Sequence, residues 1–529
     1  MMRRRTFISS LLAAPAVWSA RDALAQTPRD ALVIAKSIDD IISLDPHECF
    51  EFSGSEVDCN VYEKLLTTPN AEPQRIVGEL AESWSASPDG LTHTFVMKTG
   101  RKFASGNPVT AQDAEYSLRR AVTMNKTPGF ILTQFGLNAQ NAEQAIRATD
   151  ARTLVIAITE QVSPSFFYYC LTANVGSIVD KAVVESHRTG DDWGNGWLKT
   201  NSAGSGPYVL RTWRASENVT IEANPNYPSR VKTRRVVIRH VPEPASQLLL
   251  LQRGDADVAR NLGPDQLRGL MTDAAYKVQR ARMSSINYLC FNMNHPELAK
   301  PQVRQALKWA IDYDGIQRNI VSTTYDPHQA FLPIGFLGAL EDRPFRFDPD
   351  KAKDLLRQAG VPSGFSLALD HYNAAPWSDI AQAMQATMAQ VGITVSLIPG
   401  EQRQVITKQR ARQHQLLLQR WGSDYMDPHS NAEAFAYNPD NSDGARSKTL
   451  AWRNSWAPAM TDEVIAASRE VNQEQRARLY LDMQRRHQMD SPFAVLLQQI
   501  EVAARRANVD ELDIGPMNDR IYYSQVGKA

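Results

Sequence analysis

The chain has 529 residues, and its 58 Lys and Arg side chains balance its 58 Asp and Glu side chains. This balance argues against a nucleic-acid-binding protein, because such proteins usually carry a clear basic excess. Hydrophobic residues make up 43% of the chain and Gly and Pro stay near average usage, which excludes collagen, coiled coil and disorder. A chain of this length predicts about three or four domains.

The first 25 residues have the pattern of an export signal. Three arginines at positions 3–5 precede an apolar run that is too short to span a bilayer. Ala23-Leu24-Ala25 then provides a small-residue cleavage site. The segment resembles a twin-arginine signal, although an ordinary secretory signal with an arginine-rich start fits the same pattern. We expect cleavage near Ala25 and a soluble periplasmic protein, because no cysteine stands at the cleavage point to carry a lipid anchor.

The four cysteines do not make a disulfide framework in a chain of this length. Cys49 and Cys59 are close in sequence and the periplasm permits a bridge, so a disulfide and two free thiols both remain open. Cys170 and Cys290 stand in apolar runs and are predicted to be buried free thiols. His47 lies beside Cys49, but no second cluster follows at zinc-ligand spacing, and we predict no metal site.

Strand and helix patterns alternate along the chain, which predicts an α/β fold. β-Branched and aromatic residues predict a strand over 91–98. Thr110, with Asp113 three residues later, has the pattern of a capped helix start. In that pattern the Thr hydroxyl would satisfy the first N–H groups of the helix.

Two later helices have clear apolar stripes. The first begins at Pro301, and its helical spacing would place Arg304 and Lys308 on the solvated side. The second begins at Asp348 and ends at Gly360, a residue that readily adopts the left-handed conformation of a helix end. We predict a structural role for both helices.

The C-terminal half of the chain has the layout of an open α/β sheet. Strands are predicted over 365–369, 394–398 and 414–418, and a helix over 378–390 connects the first two. In such sheets, ligands bind beyond the carboxyl ends of the strands. The polar loop 421–431 follows the last of these strands, so it is the first candidate for a binding site.

Sequence signatures of common enzymes are missing. The chain contains no Walker A loop, no G-x-S-x-G elbow, no H-E-x-x-H helix and no G-x-G-x-x-G loop. The stretch Gly204-Ser205-Gly206-Pro207 is too short for a nucleotide loop. We therefore predict a protein without enzymatic activity and without a cofactor, and a secreted hydrolase is the competing hypothesis.

Asp424 is the residue of greatest interest in the loop. It follows an apolar strand and lies between Trp421 and Tyr425. Its carboxylate could therefore meet a ligand cation in a cleft of low dielectric constant. Simpler roles compete with this one, since Asp424 could cap the following segment and Asp427-Pro428 is a common way to open a turn.

A series of short motifs runs in order along the chain. They are 44–47 (LDPH), 61–66 (VYEKLL), 80–84 (LAESW), 102–117 (KFASGNPVTAQDAEYS), 204–208 (GSGPY), 224–227 (NPNY), 254–257 (GDAD), 303–312 (VRQALKWAID) and 348–360 (DPDKAKDLLRQAG). Their shared order resembles the periplasmic solute-binding proteins of the peptide/nickel type, the family 5 binding proteins of ABC importers. The resemblance covers nearly the whole chain after residue 25.

The resemblance implies an α/β fold of the periplasmic-binding-protein type (type II, cluster C), with two lobes and an extra third domain. Lobe one would comprise 26–58, 197–285 and 504–529, the extra domain 59–196, and lobe two 286–503. A ligand would bind between the lobes, which would close over it and present their surfaces to an ABC permease in the inner membrane. We expect a monomer with no nucleic-acid partner.

The resemblance also assigns roles in the loop after the last strand. In dipeptide-binding relatives, a W-x-x-D loop supplies an Asp that pairs with the ammonium group of the ligand. Trp421-Gly422-Ser423-Asp424 matches that loop. Asp424 would then bind the amine and Trp421 would wall the pocket, with Tyr425 as a further ligand-binding candidate.

The segment expected to hold the ligand carboxylate leaves two ligand classes open. Dipeptide-binding relatives hold the ligand carboxylate with an Arg in the segment that is 370–377 here, and this chain has no Arg there. His371 could serve instead, and Gly54 and Ser55 are further candidates for the cleft wall. We expect a peptide receptor. The alternative is the same role for a non-peptide solute such as an opine, a glutathione-like compound, a glycan or a metal chelate.

Overall fold

A computed structural model describes residues 27–517 and 519–529, so the predicted signal segment 1–25 lies outside the described residues. The α-helices in chain order are α1 Phe52–Val61, α2 Ala111–Met124, α3 Phe130–Thr133, α4 Ala142–Ala145, α5 Pro164–Cys170, α6 Lys181–Ser186, α7 Asn195–Leu198, α8 Pro244–Arg253, α9 Pro264–Met271, α10 Pro301–Trp309, α11 Tyr313–Asn319, α12 Pro349–Gln358, α13 Trp377–Ala389, α14 Gln402–Arg410, α15 His429–Ala436, α16 Leu450–Arg453, α17 Thr461–Arg469 and α18 Gln473–Asp490. None of these described helices is both long enough and apolar enough to cross a membrane.

The strands make one large sheet and several small ones. In chain order they are β1 Ala31–Lys36, β2 Glu63–Lys64, β3 Leu66–Thr67, β4 Val77–Gly78, β5 Ala81–Ala86, β6 Thr92–Met97, β7 Ile146–Ala148, β8 Thr153–Ala157, β9 Ser177–Ile178, β10 Tyr208–Arg214, β11 Asn218–Ala223, β12 Arg235–His240, β13 Val258–Ala259, β14 Tyr276–Phe291, β15 Tyr325–Pro327, β16 Ser366–Tyr372, β17 Thr394–Gly400, β18 Leu416–Gly422, β19 Phe493–Arg506, β20 Asp513–Ile514 and β21 Ile521–Tyr522.

The large sheet runs through both lobes of an α/β fold. Its strand order is β10-β11-β12-β1-β13-β19-β14-β18-β16-β17, and β15 pairs with β19 outside this path. In lobe one, β1 runs parallel to both β12 and β13. In lobe two, β16 runs parallel to β17 and β18. The antiparallel pair β14 and β19 lies between these two groups and connects the lobes.

The pair β14 and β19 contains an irregularity at the crossing. Its register shifts between Arg282 and Ile286 and again after Asn287. Such breaks bend a strand and increase its local twist. The predicted boundary between 285 and 286 falls at the first break.

Three of the hydrophobic cores are built from different parts of the chain. The largest is built from residues between Ile286 and Leu497, and a second from residues between Leu65 and Ile178 together with Tyr425. The third joins the N-terminal segment, residues from Val179 onward and the C-terminal segment. Residues 179–184 therefore pack with lobe one, so the core of the extra domain is narrower than 59–196. The exact boundaries stay a prediction.

The predicted elements are confirmed, with ends that shift by one to four residues. Helix α2 begins where predicted, but the capping contact is reversed. Asp113 Oδ2 accepts hydrogen bonds from the Thr110 backbone N–H at 2.9 Å and from its hydroxyl at 2.6 Å. Helix α12 is capped by Asp348, which accepts from the Lys351 N–H at 3.0 Å, and Gly360 beyond its end has a φ of 75°.

The predicted solvated face of helix α10 is wrong. Lys308 is fully buried, and its Nζ donates to the carbonyl oxygens of Gln488 at 2.6 Å and Ser491 at 3.0 Å. Arg304 is also buried. Helix α18 ends against this face, and the free carbonyl groups of a helix C-terminus attract cations. Burial, with Arg304 nearby, lowers the pKa of Lys308 to about 7.

The four cysteines and His47 are all buried inside the protein. All four cysteines are buried free thiols, so Cys49 and Cys59 form no bridge, and the prediction for Cys170 and Cys290 is confirmed. His47 accepts a hydrogen bond at Nδ1 from Arg120, at 2.7 Å, and Arg120 also pairs with Asp45 inside the protein. The LDPH motif therefore ties lobe one to helix α2 of the extra domain.

Candidate functional site

A cavity of about 820 Å³ opens where the two lobes and the extra domain meet. Residues 49–55 of lobe one, together with 127–131 and 173–175 of the extra domain, form part of its wall. The C-terminal segment adds Met517 and Asp519, and lobe two supplies the rest, mainly from β18, α14, α15 and α16 and the loops beside them. This volume lies within the range of pockets that enclose small organic ligands.

Three predicted residues line the cavity: Trp421 in strand β18, Asp424 in the loop that follows it, and Ser55 in α1. The ring of Trp421 packs edge-on against Phe435, with 6.2 Å between the centroids. Helix α15 fixes the loop, because the Asp424 N–H donates to Ser430 Oγ at 2.9 Å. The backbone of Asp424 is thus held in place, while its carboxylate makes no hydrogen bond or ion pair in the described ranges.

The Asp424 carboxylate shares its side of the cavity with Glu433 of helix α15. Burial, with the Glu433 charge nearby, raises the pKa of Asp424 to about 7, and burial also raises the pKa of Glu433. The imidazole Nε2 of His429 lies 3.9 Å from Glu433. Burial lowers the pKa of His429 to about 4, so the ring is neutral at pH 7. Among the described residues neither carboxylate pairs with a Lys or Arg, so both are candidates to hold a ligand cation.

The second aspartate of the loop has a structural role. Asp427 is fully buried and pairs with Arg476 through both carboxylate oxygens, at 2.6 and 2.7 Å. Its Oδ1 also accepts from the His429 N–H at 2.9 Å. The pair anchors the loop to helix α18, so Asp427 holds the binding loop in shape without lining the cavity.

Three predicted site residues lie away from the cavity. Tyr425 enters the core of the extra domain, where its ring centroid is 5.7 Å from that of Phe166. His371 is buried, and its Nδ1 lies 2.9 Å from the carbonyl oxygen of Tyr372. Gly54 packs against Cys49, so closely that a Cβ there would lie 2.5 Å from the sulfur. None of the three is among the described residues that line the cavity.

Sequence reasoning missed the basic side of the cavity. The cationic side chains that line it are Arg410, Arg420, Arg446, Lys448 and Arg453. They come from helix α14, strand β18, the loop before α16 and the end of α16. No motif connects them in sequence, because the fold brings them together. The only available signal was their position in segments that follow strands or form loops of lobe two.

Aromatic side chains outside lobe two form an apolar rim on the cavity. Phe50, Phe52 and Phe130 are 36%, 36% and 40% exposed. Phe50 and Phe130 meet edge-to-face with 6.0 Å between centroids, and Arg420 lies 4.8 Å from the ring of Phe52. Exposed aromatic rings that cluster at a cleft mark a surface that can cover apolar parts of a ligand.

The fold and the cleft together define a two-lobe ligand-binding protein with unpaired charges at the binding surface. The chain belongs to the bacterial extracellular solute-binding proteins, family 5, whose model for the middle region matches residues 75–443. This finding confirms the resemblance that the ordered motifs indicate.

Individual relatives are similar over nearly their whole length. The chain is 27% identical over 531 residues to the probable D,D-dipeptide-binding periplasmic protein DdpA of Escherichia coli K12, covering 99% of both chains. Its fold matches DppA from Helicobacter pylori in complex with the peptide STSA, with a TM-score of 0.78, 22% identity, and coverage of 94% of this chain and 98% of that one. It also matches MoaA of A. tumefaciens R10 in complex with mannopinic acid, with a TM-score of 0.76, 22% identity, and coverage of 95% and 100%.

Proposed function

We propose that this solute-binding protein captures short peptides in the cleft and delivers them to the permease of an ABC importer. The observation that carries the proposal is the pair of cavity-lining carboxylates, Asp424 and Glu433, which no Lys or Arg neutralises within the described chain. An ammonium group that enters a closed cleft loses its water. A carboxylate that accepts its hydrogen bonds restores that free energy.

The remaining wall suits a peptide. The cavity has room for a small chain of residues, and the rim of Phe50, Phe52 and Phe130 would cover apolar side chains. Closure about the register break in β14 would bring this rim down on the ligand. The closed surfaces of the two lobes would then be the shape that the permease recognises.

The names of relatives support this choice of ligand. DdpA is described as a dipeptide-binding protein, and DppA was solved with a peptide. A non-peptide amine is the second candidate, favoured by the missing Arg in 370–377 and by MoaA, which holds mannopinic acid on the same fold. An opine also carries a cationic nitrogen, so it would use the same carboxylates.

We also propose that the protein reaches the periplasm by export and acts there as a monomer. The support is the N-terminal pattern, with three arginines, a short apolar run and a cleavage site near Ala25. Twin-arginine export and ordinary secretion remain alternatives. N-terminal sequencing of the periplasmic protein would locate the cleavage site, and a full-length N-terminus would contradict the proposal.

The test of peptide binding is calorimetry with Ala-Ala, Ala-Ala-Ala and their N-acetylated forms. We expect the free peptides to bind and the acetylated forms to fail, because acetylation removes the ammonium charge. Asp424→Asn should weaken binding by roughly two to three and a half decades, the effect of breaking a buried charge pair. Asp30→Asn, at an exposed turn, is the matched control.

Three outcomes would contradict the proposal in different ways. Equal binding of acetylated and free peptides would exclude the ammonium contact. Binding of mannopinic acid but of no peptide would support the non-peptide alternative. Mass spectrometry of a peptide recovered after long incubation should find it intact, and a cleaved product would instead support the hydrolase hypothesis.

A further inference from the structure

The cleft contains more positive charge than an amine receptor requires. Its lining includes the cations Arg410, Arg420, Arg446, Lys448 and Arg453. In the part of the chain that the structure describes, none of them forms an ion pair with a carboxylate. Lys448 and Arg420 lie instead over the rings of Trp452 and Phe52, at 5.0 and 4.8 Å. The two unpaired carboxylates of the cleft do not offset these five charges.

Arg453 and Arg410 are the central members of this group. Arg453 ends helix α16 and is half-buried beside Tyr288 of β14. Its Nε donates to the Lys448 carbonyl at 3.1 Å, so this contact holds the base of the guanidinium group and not its terminal nitrogens. Burial and the neighbouring charge of Arg410 both lower the pKa of Arg453. Two guanidinium groups that repel each other are stabilised by an anion between them.

Three buried arginines of this chain have the carboxylate partner that Arg453 lacks. Arg120 pairs with Asp45, Arg476 with Asp427, and Arg260 with Glu56. Each of these guanidinium groups meets a carboxylate from the protein itself. Arg453 and Arg410 instead line a cavity, so their anion can come from a ligand.

The acidic and basic groups act on separate parts of the ligand. Burial and the charge of Glu433 raise the pKa of Asp424, and burial alone raises the pKa of Glu433. In the described chain, no arginine of the cavity forms an ion pair with either carboxylate. A ligand that satisfies both regions therefore has its ammonium group at one place and its anionic groups at another.

We propose that Arg453 and Arg410 form an anion subsite, and that the cleft prefers acidic peptides, which carry a side-chain carboxylate in addition to the terminal one. This inference rests on the proposed function, since it extends the same cleft. The excess of cations favours a ligand of net negative charge. The subsite also explains how the chain can bind a carboxylate although 370–377 contains no Arg.

The test compares Ala-Glu with Ala-Gln, two dipeptides that differ by one charge and little in shape. Wild-type protein should bind Ala-Glu about tenfold more tightly in calorimetry at low salt, the gain of one charge-assisted hydrogen bond. Arg453→Gln and Arg410→Gln should weaken Ala-Glu binding more than Ala-Gln binding, and so bring the two affinities together. Arg403→Gln is the matched control, because Arg403 is an exposed residue of the same helix α14 that does not line the cavity.

A second measurement separates this inference from the peptide proposal. Succinate has two carboxylates and no amine, so it probes the anion subsite alone. It should raise the melting temperature of the wild-type protein and not that of the Arg410→Gln/Arg453→Gln double variant. If succinate acts this way while no peptide binds, the subsite stands and the peptide proposal fails. Equal affinity of the wild type for Ala-Glu and Ala-Gln, or an equal succinate response in both proteins, overturns the subsite.

Discussion

Replacing Asp424 by Asn should make the empty protein more stable at the same time as it removes ligand binding. The folded protein raises the pKa of Asp424 from 3.8 to about 7. The folded state therefore binds more protons than the unfolded state between these values, and this carboxylate destabilises the fold progressively as the pH rises through that window. The destabilisation is complete above pH 7 and absent below pH 4.

The size of this effect follows from the pKa difference. A difference of about three in pKa corresponds to about 4 kcal/mol at most. Asp424 is partly exposed in a cleft that opens to water, so we reduce this limit to about 2 kcal/mol, or a rise of about 2 °C in the melting temperature of a chain of this length. Asn is neutral at every pH, so the gain should appear at pH 8 and vanish at pH 4.

Differential scanning calorimetry of both proteins without ligand at pH 8 and pH 4 measures this directly. Asp30→Asn, at an exposed turn, should show no such pH-dependent gain. A gain of equal size at both pH values would show that charge burial is not its cause. A loss of stability at pH 8 would show that the carboxylate has a stabilising partner, and the reasoning about the binding site would then fail.

Other predictions follow from neighbouring residues. Peptide affinity should fall as the pH drops from 8 to 6, because Asp424 and Glu433 must be ionised to hold an ammonium group; calorimetry at each pH measures it, and a flat profile would contradict it. Asp427→Asn should destabilise the protein by about 3 to 5 kcal/mol, because it leaves Arg476 buried without its carboxylate; chemical denaturation measures this. A thiol reagent should find four free thiols after denaturation without reductant, whereas two would indicate a Cys49–Cys59 bridge.

The sequence predicts those features that short stretches of chain determine. Helix α12 begins at Asp348 and is followed by Gly360 because a side-chain cap and a left-handed glycine act within a few residues. Asp424 lines the cavity because it follows the end of an apolar strand, and the fold places such ends at a cleft. Each of these predictions depended on local chemistry or on one general rule of α/β sheets.

Other features depend on contacts between distant segments. Lys308 was assigned to solvent because helical periodicity describes one helix, while the end of α18 that covers it lies 180 residues away. Tyr425 is the next residue after Asp424, yet it packs into the core of the extra domain. Arg410 and Arg453 share the cavity although no motif relates them. In each case the missing information was the tertiary partner.

The distribution of charges over the lobes implies an order of events in binding. The carboxylates Asp424 and Glu433 and the guanidinium groups of Arg410 and Arg453 all belong to lobe two. The other parts contribute aromatic rings, such as Phe52 and Phe130, together with small and polar residues and Asp519, which pairs with Arg520. A ligand can therefore satisfy its charges on lobe two while the cleft is open. Closure then removes water and places the apolar rim over it, which strengthens the charge pairs already formed. Recognition of charge and enclosure of the ligand thus rest on different parts of the protein, joined by β14 and β19.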